Sequence, residues 1–247
     1  MPKSDSFPPL TAFHLKLLAA AAMLADHIAA VILIPIGAPA GLSFALRAFG
    51  RLAFPLFCFL LVQGFIHTRS RGKYAVRLGL FALLSEIPFD LAFNDCLLEP
   101  KNNNVFFTLL LGFLLLWSME TLRHMFTRPT PSHSALPPGT ALLGPILALL
   151  LAAAYGLALL LCADYGFSGV VCILLLWLLR EYPALGLLSC TVVLVHFYGP
   201  NSFFSLAAIL PVLLFGGQKG SGRKYAFYLF YPLHLLALYT IRYCLIT

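Results

Sequence analysis

Long apolar runs that follow one another along the chain are the feature that most limits its fold. Of its 247 residues 61% are hydrophobic and only 10% are charged, whereas an average soluble domain has roughly 45–50% and 25%. No aqueous fold can bury that much apolar surface, and one membrane crossing takes about 20 mostly apolar residues. The sequence therefore predicts an all-α polytopic integral membrane protein, a single helical-bundle domain over residues 1–247.

Breaks between the apolar runs give the predicted order of helices. Nine transmembrane segments emerge: 13–34, 44–66, 75–93, 105–123, 141–162, 167–180, 184–198, 203–215 and 225–246. The sixth to eighth are short for a full span, which indicates tilt, a broken helix or a re-entrant element. The Pro- and Ser-rich stretch 128–139 is predicted to be a cytoplasmic linker between a four-helix and a five-helix portion.

The basic residues indicate how these helices are oriented in the membrane. The formal net charge is +7, from 16 Lys and Arg against 9 Asp and Glu. In a soluble protein this excess would suggest a nucleic-acid partner, but membrane proteins keep Lys and Arg in cytoplasmic loops. The predicted order puts 12 of the 16 basic residues on the side of the N-terminus and leaves Arg47, Arg51, Lys101 and Arg242 on the other. We therefore expect a cytoplasmic N-terminus, and contact with the lipid bilayer instead of nucleic acid.

Ionisable side chains inside the apolar helices point to a functional site. Each costs about 2.5–3.5 kcal/mol on insertion scales, so such residues face the protein interior and mark function. On the first helix Lys16 and His27 are 11 residues apart, which places them roughly 16 Å apart and within about 20° of one face. Asp26 points about 100° away, toward a neighbouring helix. A lone intramembrane histidine is usually a hydrogen-bonded core residue, but the ionisable neighbours of His27 favour a site.

Two arginines of the second helix reach a similar depth. Arg47 and Arg51 are four residues apart and therefore share one helix face. Arg51 is predicted to lie about 10 Å inside the membrane, near Asp26 and His27. A structural ion pair with Asp26 and a role in the site explain this position equally well.

The third and the last helix each combine ionisable residues with a proline. Glu86 and Asp90 are four residues apart and flank Pro88, which frees a backbone carbonyl and is predicted to kink the helix. Such paired carboxylates can share a proton or complement an arginine. His234 lies about ten residues into the last helix, two positions after Pro232. We expect it to converge on the histidine of the first helix, because two imidazoles with acidic neighbours suit proton handling near neutral pH.

The ionisable residues singled out inside the apolar helices lie within five longer stretches of the chain. These are Lys16 with Met23–Ile28, Arg47–Thr68, Lys73-Tyr74 with Arg77-Leu78, Ser85–Asp90, and Lys224-Tyr225 with Phe227–His234. Together they resemble the TraX family of bacterial membrane proteins, which is named for the factor that acetylates the amino terminus of conjugative pilin. The resemblance extends from the first helix to the last.

The family in turn resembles a wider set of integral-membrane acyltransferases, in which a basic residue followed after ten positions by histidine marks the first helix. Lys16 and His27 fit that spacing. The resemblance implies an acetyltransferase of the bacterial cytoplasmic (inner) membrane, which moves an acetyl group from cytoplasmic acetyl-CoA to an acceptor amine or hydroxyl at the outer side. The catalytic residues of this expectation are His27, His234, Asp26, Arg51, Glu86 and Asp90.

The donor and the acceptor would approach from opposite sides of the membrane. Basic residues whose charge suits the phosphates of acetyl-CoA lie on the cytoplasmic side: Lys16, Arg69, Arg71, Lys73, Lys219, Arg223 and Lys224. One histidine would act as general base while an adjacent cation stabilises the oxyanion, or a histidine would itself be acetylated. No metal is expected, and the acceptor stays open between a peptide amino terminus such as that of pilin, a saccharide and a small amine.

Two other functions fit parts of the pattern. A proton-coupled membrane transporter would also combine intramembrane Asp, Glu and His with proline-broken helices, although the sequence shows no inverted repeat. A non-catalytic assembly factor for a surface appendage would need neither histidine for chemistry. Acetyl-CoA consumption distinguishes the enzyme from the transporter, and replacement of the histidines distinguishes it from the assembly factor.

Overall fold

The structure, a computed structural model, describes residues 9–126, 140–221 and 225–246. Within these ranges the regular elements are helices, so the predicted all-helical fold class is confirmed. The predicted linker 128–139 and the two basic residues Arg223 and Lys224 lie outside the described residues.

The described chain is a succession of helices joined by short turns. In order they are α1 Ala12–Ile28, a π-helical turn Ala29–Leu33, α2 Ala40–Gly50, α3 Ala53–His67, α4 Arg71–Asn94, α5 Val105–Phe126, α6 Thr140–Leu160, α7 Gly166–Leu178, α8 Pro183–Tyr198, a 3₁₀ helix Pro200–Ala208, α9 Ile209–Leu213 and α10 Ala226–Ile246. Most of the predicted segments correspond to one of these stretches to within a few residues, because each follows a continuous apolar run.

The predicted helix 44–66 is two helices in the structure. α2 ends at Gly50 and α3 begins at Ala53, with a tight turn at Arg51–Leu52 between them. Pro55 explains the break, since it lacks the N–H that a continuous α-helix would direct at the Arg51 carbonyl.

The predicted helix 203–215 is also different. Its first part belongs to the 3₁₀ helix Pro200–Ala208, and only the five residues of α9 are α-helical. Pro211 contributes to this change because it cannot donate to the Ala207 carbonyl, as an α-helix would require.

Several helices are suited to a membrane. Among the described residues, three stretches are long and apolar enough to cross one: Ala12–Leu33, Ala40–His67 and Val105–Met125. Shorter apolar helices cover Gly144–Leu160, Gly166–Leu178, Pro183–Tyr198 and Pro200–Leu213. The chain is a helical membrane protein, and its nine crossings stay a prediction.

α4 carries charged residues, yet one of its faces is apolar and exposed. The large side chains on that face are Val76, Leu80, Leu83, Leu84 and Ile87, which recur at helical spacing and form one stripe. The 24 residues of α4 make it about 36 Å long, enough to cross a hydrocarbon core of about 30 Å. A stripe of this kind suits contact with lipid.

Hydrogen bonds at the two ends of the bundle join segments that are far apart in sequence. At one end the N–H of Leu10 donates to the Leu214 carbonyl at 2.8 Å. At the other the N–H of Asp164 donates to the Asn103 carbonyl at 2.7 Å. We call the first the N-terminal end and the second the opposite end.

α10 is fixed to α4 at the opposite end by a buried arginine. The Arg242 guanidinium donates to the carbonyls of Leu91 and Ala92, at 3.3 and 3.2 Å, and to the carboxylate of Asp95. These acceptors lie in the last turn of α4 and just beyond it, where helix carbonyls lack intrahelical donors. Arg242 thus has a structural role, and α10 is held in place beside the polar residues of the interior.

Candidate active site

Two histidines meet in the interior of the bundle, between α1 and α10. His27 Nδ1 lies 2.8 Å from His234 Nε2, and the two ring planes are inclined by only 7°. His234 is buried and His27 is partly buried. The π-helical turn Ala29–Leu33 begins two residues after His27, and π-helical turns are frequent at functional sites. The structure therefore brings together the two histidines that the sequence singles out.

The hydrogen-bond partners of the pair assign its protons. His234 Nδ1 lies 2.7 Å from the carbonyl oxygen of Phe230, which can only accept, so Nδ1 carries the proton. In a neutral ring Nε2 of His234 is then an acceptor, and His27 Nδ1 must donate to it. The lone pair of the His27 ring therefore lies on Nε2 and is not used in the hydrogen bond between the two histidines. No described residue forms a hydrogen bond with that nitrogen, so it is free to accept a proton.

Aromatic rings enclose the histidine pair. Phe93 and Tyr231 meet the His27 ring edge-on, at centroid distances of 5.2 and 6.2 Å. Phe230 stacks on the His234 ring at 4.7 Å. Such apolar surroundings exclude water and strengthen the hydrogen bonds inside them.

Lys16 lies on the same face of α1 as His27. Its ammonium is 5.7 Å from the centroid of the Phe227 ring, so Lys16 and His27 both face α10, one at Phe227 and the other at His234. The common face follows from their 11-residue spacing in one helix. Lys16 lies toward the N-terminal end and His27 toward the opposite end, in the predicted order.

Asp26 forms its ion pair with a different arginine from the one proposed for it. Arg47 Nη1 donates to Asp26 Oδ2 at 2.6 Å, while no carboxylate of the described chain lies within ion-pair distance of Arg51. The break after Gly50 accounts for the difference, because Arg51 belongs to the turn between α2 and α3 and not to the α2 face that meets α1.

Gly50 lets α2 approach Asp26 closely. A Cβ atom at position 50 would lie 2.6 Å from Asp26 Oδ1 and closer still to Asp26 Cβ. Gly50→Ala should therefore force the Asp26 side chain away from Arg47, at a cost of about 1–3 kcal/mol in the free energy of unfolding. Thermal unfolding in detergent measures this loss. Gly41→Ala is the matched control in α2, because its Cβ would meet open space, and equal destabilisation by both substitutions would contradict the close contact.

A pocket of about 240 Å³ opens beside the Asp26–Arg47 pair. It is lined by Ile34, Ser43, Phe44, Arg47, Ala48, Arg51 and Asn201. Ser43 is buried, and neither its hydroxyl nor the Nε of Arg51 has a hydrogen-bond partner in the described chain. The sequence gives no signal for Ser43 and Asn201, which are single polar residues in apolar or loop segments.

The carboxyl groups of Glu86 and Asp90 bind different partners in the structure. Asp90 is fully buried, and its two oxygens accept from Asn94 Nδ2 at 3.0 Å and from the Glu99 N–H at 2.9 Å. Glu86 instead accepts from the side-chain amide of Asn104. Asp90 therefore holds the loop after α4 in place, and the carboxylate pair expected from the spacing is divided between two structural contacts.

One oxygen of the Glu86 carboxylate can still accept a hydrogen bond. Oε1 is buried and has no hydrogen-bond partner within the described residues. Asn104, which binds the other oxygen, also donates to the Ala82 carbonyl at 2.8 Å and accepts from the Phe106 N–H at 3.0 Å. Glu86, in the middle of α4, is thus anchored through Asn104 to the start of α5.

Comparison with known proteins places this arrangement in a family. The sequence profile described as TraX protein matches residues 12–242, a range that includes both histidines and the Asp26–Arg47 pair. The chain belongs to the TraX family. It is 31% identical to the probable fimbrial assembly protein FimC, serogroup H1, of Dichelobacter nodosus, over 247 aligned residues that cover 92% of this chain and 94% of the relative. No solved structure matches.

Asp164 is a residue of this TraX-family chain that lies near the arginines. It belongs to the turn between α6 and α7, where burial raises the pKa of its carboxyl to about 6. The N–H of Tyr165 donates to Asp164 Oδ1 at 2.9 Å and opposes this rise. The charges of Arg51 and Arg47 are close enough to act in the same direction as that hydrogen bond.

Only some of the basic residues expected to bind acetyl-CoA lie near one another in the structure. Lys16 and Lys219 are close enough for their charges to repel, because the segment after α9 returns against the residues before α1. Arg71 lies over the Phe65 ring at 4.6 Å. The two others that the structure describes, Arg69 and Lys73, are exposed. Among the described residues, none of these five basic side chains has a carboxylate within ion-pair distance.

Proposed function

We propose that this TraX-family protein is a membrane-embedded acetyltransferase, which moves an acetyl group from cytoplasmic acetyl-CoA to an acceptor amine or hydroxyl at the outer side of the bacterial inner membrane. The observation that carries the proposal is the free lone pair of His27 Nε2, held in place by His234. In this arrangement the chain crosses the membrane nine times, with its N-terminal end in the cytoplasm, as the distribution of basic residues favours.

The donor binds at the N-terminal end. The Ala12 N–H donates to the Gln218 carbonyl at 2.8 Å, so Lys16 and Lys219 place two like charges at this end of the bundle, and an anion between them lowers their repulsion. The phosphates of acetyl-CoA supply such an anion. The thioester at the end of the pantetheine arm then extends along the face that α1 turns to α10, from Lys16 toward His27.

The histidine pair supplies the base. His27 Nε2 takes the proton of the acceptor amine or hydroxyl as its nitrogen or oxygen attacks the thioester carbonyl. In the imidazolium that forms, the His27 Nδ1–H still donates a hydrogen bond to His234 Nε2. The His234 Nδ1–H likewise still donates to the Phe230 carbonyl. The positive charge is thereby spread over two rings, in the way that a third group orients and stabilises the base of a catalytic triad.

Breakdown of the tetrahedral intermediate completes the transfer. The new bond joins the acceptor to the carbonyl carbon, the carbon–sulfur bond breaks, and the proton on His27 Nε2 passes to the coenzyme A thiolate. Arg47 binds Asp26, the residue next to His27, at 2.6 Å, and in this proposal its guanidinium is the cation that stabilises the oxyanion. The products are the acetylated acceptor and coenzyme A.

Removal of the Lys16 charge tests the donor site. Lys16→Gln should raise the KM for acetyl-CoA about tenfold, because a charge-assisted hydrogen bond to phosphate contributes about 1.5–3 kcal/mol. The kcat should change little, since Lys16 is remote from the reacting atoms. Initial rates over a range of acetyl-CoA concentrations give both constants. Arg180→Gln, which removes another basic residue outside the proposed donor site, is the control and should leave KM unchanged.

A role as a non-catalytic assembly factor is the second candidate. It is favoured by the relative from Dichelobacter nodosus, which is named as a probable fimbrial assembly protein. Assembly of a surface appendage by a host that carries His27→Ala or His234→Ala, at normal protein levels, would support this function over catalysis. Loss of acceptor acetylation in these variants, while the protein still folds, would support catalysis.

The direct test of the enzyme uses purified protein in detergent with radiolabelled acetyl-CoA. We expect time-dependent release of the coenzyme A thiol, with the acetyl group transferred to an added amine or, slowly, to water. Thermal stabilisation by acetyl-CoA and coenzyme A should accompany it. Absence of both thiol release and stabilisation at millimolar acetyl-CoA would overturn the proposal.

A further inference from the structure

The pocket at the opposite end has the chemistry of an anion site. Its polar lining consists of the guanidiniums of Arg47 and Arg51, which only donate hydrogen bonds, and of the Ser43 hydroxyl and the Asn201 amide, which can donate as well as accept. Guanidinium groups match the geometry of carboxylate and phosphate oxygens better than any other side chain. Its apolar wall is formed by Ile34, which precedes α2, and by Phe44 and Ala48 of α2.

Two of these donors lack a partner within the protein. Ser43 is only 6% exposed and its Oγ has no hydrogen bond in the described chain, and the same is true of the buried Nε of Arg51. Buried polar groups in native proteins are nearly always paired, so each exception calls for an explanation. A ligand that accepts hydrogen bonds satisfies both at once.

Within the described chain, the position of the carboxylates near the pocket leaves Arg51 without a direct ionic partner. Asp26 compensates Arg47 at 2.6 Å, whereas Arg51 has no carboxylate within ion-pair distance among the described residues. Asp26 and Asp164 both interact with Arg51, but only at longer range. One positive charge of the pocket therefore remains without a direct counter-ion.

The pocket adjoins the Asp26–Arg47 ion pair, and Asp26 precedes His27 in α1. Arg47 lines it and at the same time binds Asp26, the residue next to His27. A molecule that places an oxyanion against Arg51 and Ser43 is thus bound next to the ion pair that joins α2 to α1, the helix that carries His27. The opposite end is also the side from which the acceptor approaches in the proposed function.

We infer that this pocket binds an oxyanion, a carboxylate or a phosphate group, of the acceptor, and that Arg51 and Ser43 are its ligands. The inference rests on the proposed function and adds a substrate class to it: the acceptor is an acidic molecule that carries its amine or hydroxyl within reach of His27. Arg51 and Ser43 determine acceptor specificity and take no part in donor binding.

Binding is tested first with inorganic phosphate as the probe. The protein is purified in an uncharged detergent without phospholipid, and its Tm is measured in phosphate against chloride at equal ionic strength. Phosphate at ten times its Kd should raise the Tm by about 3 °C. Arg51→Gln and Ser43→Ala should each abolish the shift, while Lys101→Gln, which removes an exposed basic residue at the same end, should retain it. No shift, or a shift that survives both substitutions, would overturn the inference.

A second measurement separates the acceptor from a lipid headgroup. The phosphate shift is measured again in phospholipid nanodiscs, where it should persist; its loss there would assign the pocket to lipid phosphate. Acetylation of Ala-Ala-Glu amide and Ala-Ala-Gln amide is then compared, and the acidic peptide should have the higher kcat/KM by about tenfold or more. Arg51→Gln should remove that preference, and equal rates with wild-type protein would contradict it.

The two proposals fail in different ways. Thiol release from acetyl-CoA without a phosphate shift would leave the acetyltransferase intact and overturn the oxyanion pocket. A phosphate shift that depends on Arg51 and Ser43, in a protein that never releases the thiol, would overturn the acetyltransferase and the assignment of the oxyanion to an acceptor.

Discussion

His27→Asn is expected to lower the kcat of acetyl transfer by about 10²–10⁴-fold, the usual contribution of a general base. Asparagine places an amide N–H where Nδ1 of histidine lies and has no atom at the Nε2 position. The substitution therefore keeps the donor to His234 and removes only the lone pair that takes the proton. Steady-state rates of thiol release from acetyl-CoA measure the effect.

His196→Asn is the matched control for this prediction. His196 is an exposed histidine at the end of α8, next to Phe197, and its replacement should leave kcat within about twofold, as surface substitutions change little. The His27→Asn protein should retain its Tm and its stabilisation by coenzyme A. Wild-type kcat in the His27→Asn protein would exclude His27 as the base.

His234 should behave as a positioning residue with a different pattern of substitution. His234→Leu removes the acceptor for the His27 Nδ1–H and leaves that donor unpaired, at a cost of about 1–3 kcal/mol. We expect kcat to fall about 10–100-fold, as for other residues that orient a functional imidazole, with little change in the KM for acetyl-CoA.

Glutamine at position 234 provides the conservative variant. Its carbonyl oxygen takes the place of Nε2 and can accept from His27 Nδ1, so His234→Gln should recover most of the activity that His234→Leu loses. A purely structural role predicts the opposite order, because leucine suits an aromatic interior better than glutamine. Equal kcat values in the two variants would exclude the hydrogen bond as the cause.

The features that helical periodicity controls could be predicted from the sequence. Lys16 and His27 share a face because both lie in one uninterrupted helix, and His234 meets His27 because α1 and α10 run side by side. The assignment of the free lone pair could not be predicted. It depends on the Phe230 carbonyl, which any helix offers and which becomes informative only through its 2.7 Å contact with His234 Nδ1.

The partner of Asp26 shows a limit of the same reasoning. Arg47 and Arg51 share a face of a continuous helix, and the depth of Arg51 along that helix makes it the expected partner of the carboxylate. Pro55 changes this by breaking the helix at Arg51, and the close approach at Gly50 then brings Arg47 to Asp26. A proline near a predicted helix start is visible in sequence, but its effect on a partner helix is not.

The contacts that loops make could not be predicted from the sequence either. Asp90 looks like half of a carboxylate pair until the loop after α4 folds back and the Glu99 N–H donates to it. Ser43 and Asn201 line one pocket although they lie in distant segments. Their meeting depends on how the 3₁₀ helix after α8 packs beside α2, which no local pattern encodes.

Transfer across a membrane is the most direct test of the proposed activity. Protein is reconstituted into liposomes with its N-terminal end outward, radiolabelled acetyl-CoA is added outside, and Ala-Ala-Glu amide is trapped in the lumen. The expected result is labelled acetyl in the lumen, as acetyl peptide or acetate, with an equal amount of coenzyme A thiol outside and neither product with His27→Asn. Acetyl-CoA that stays intact, or label released only on the outside, would contradict transfer through the histidine pair.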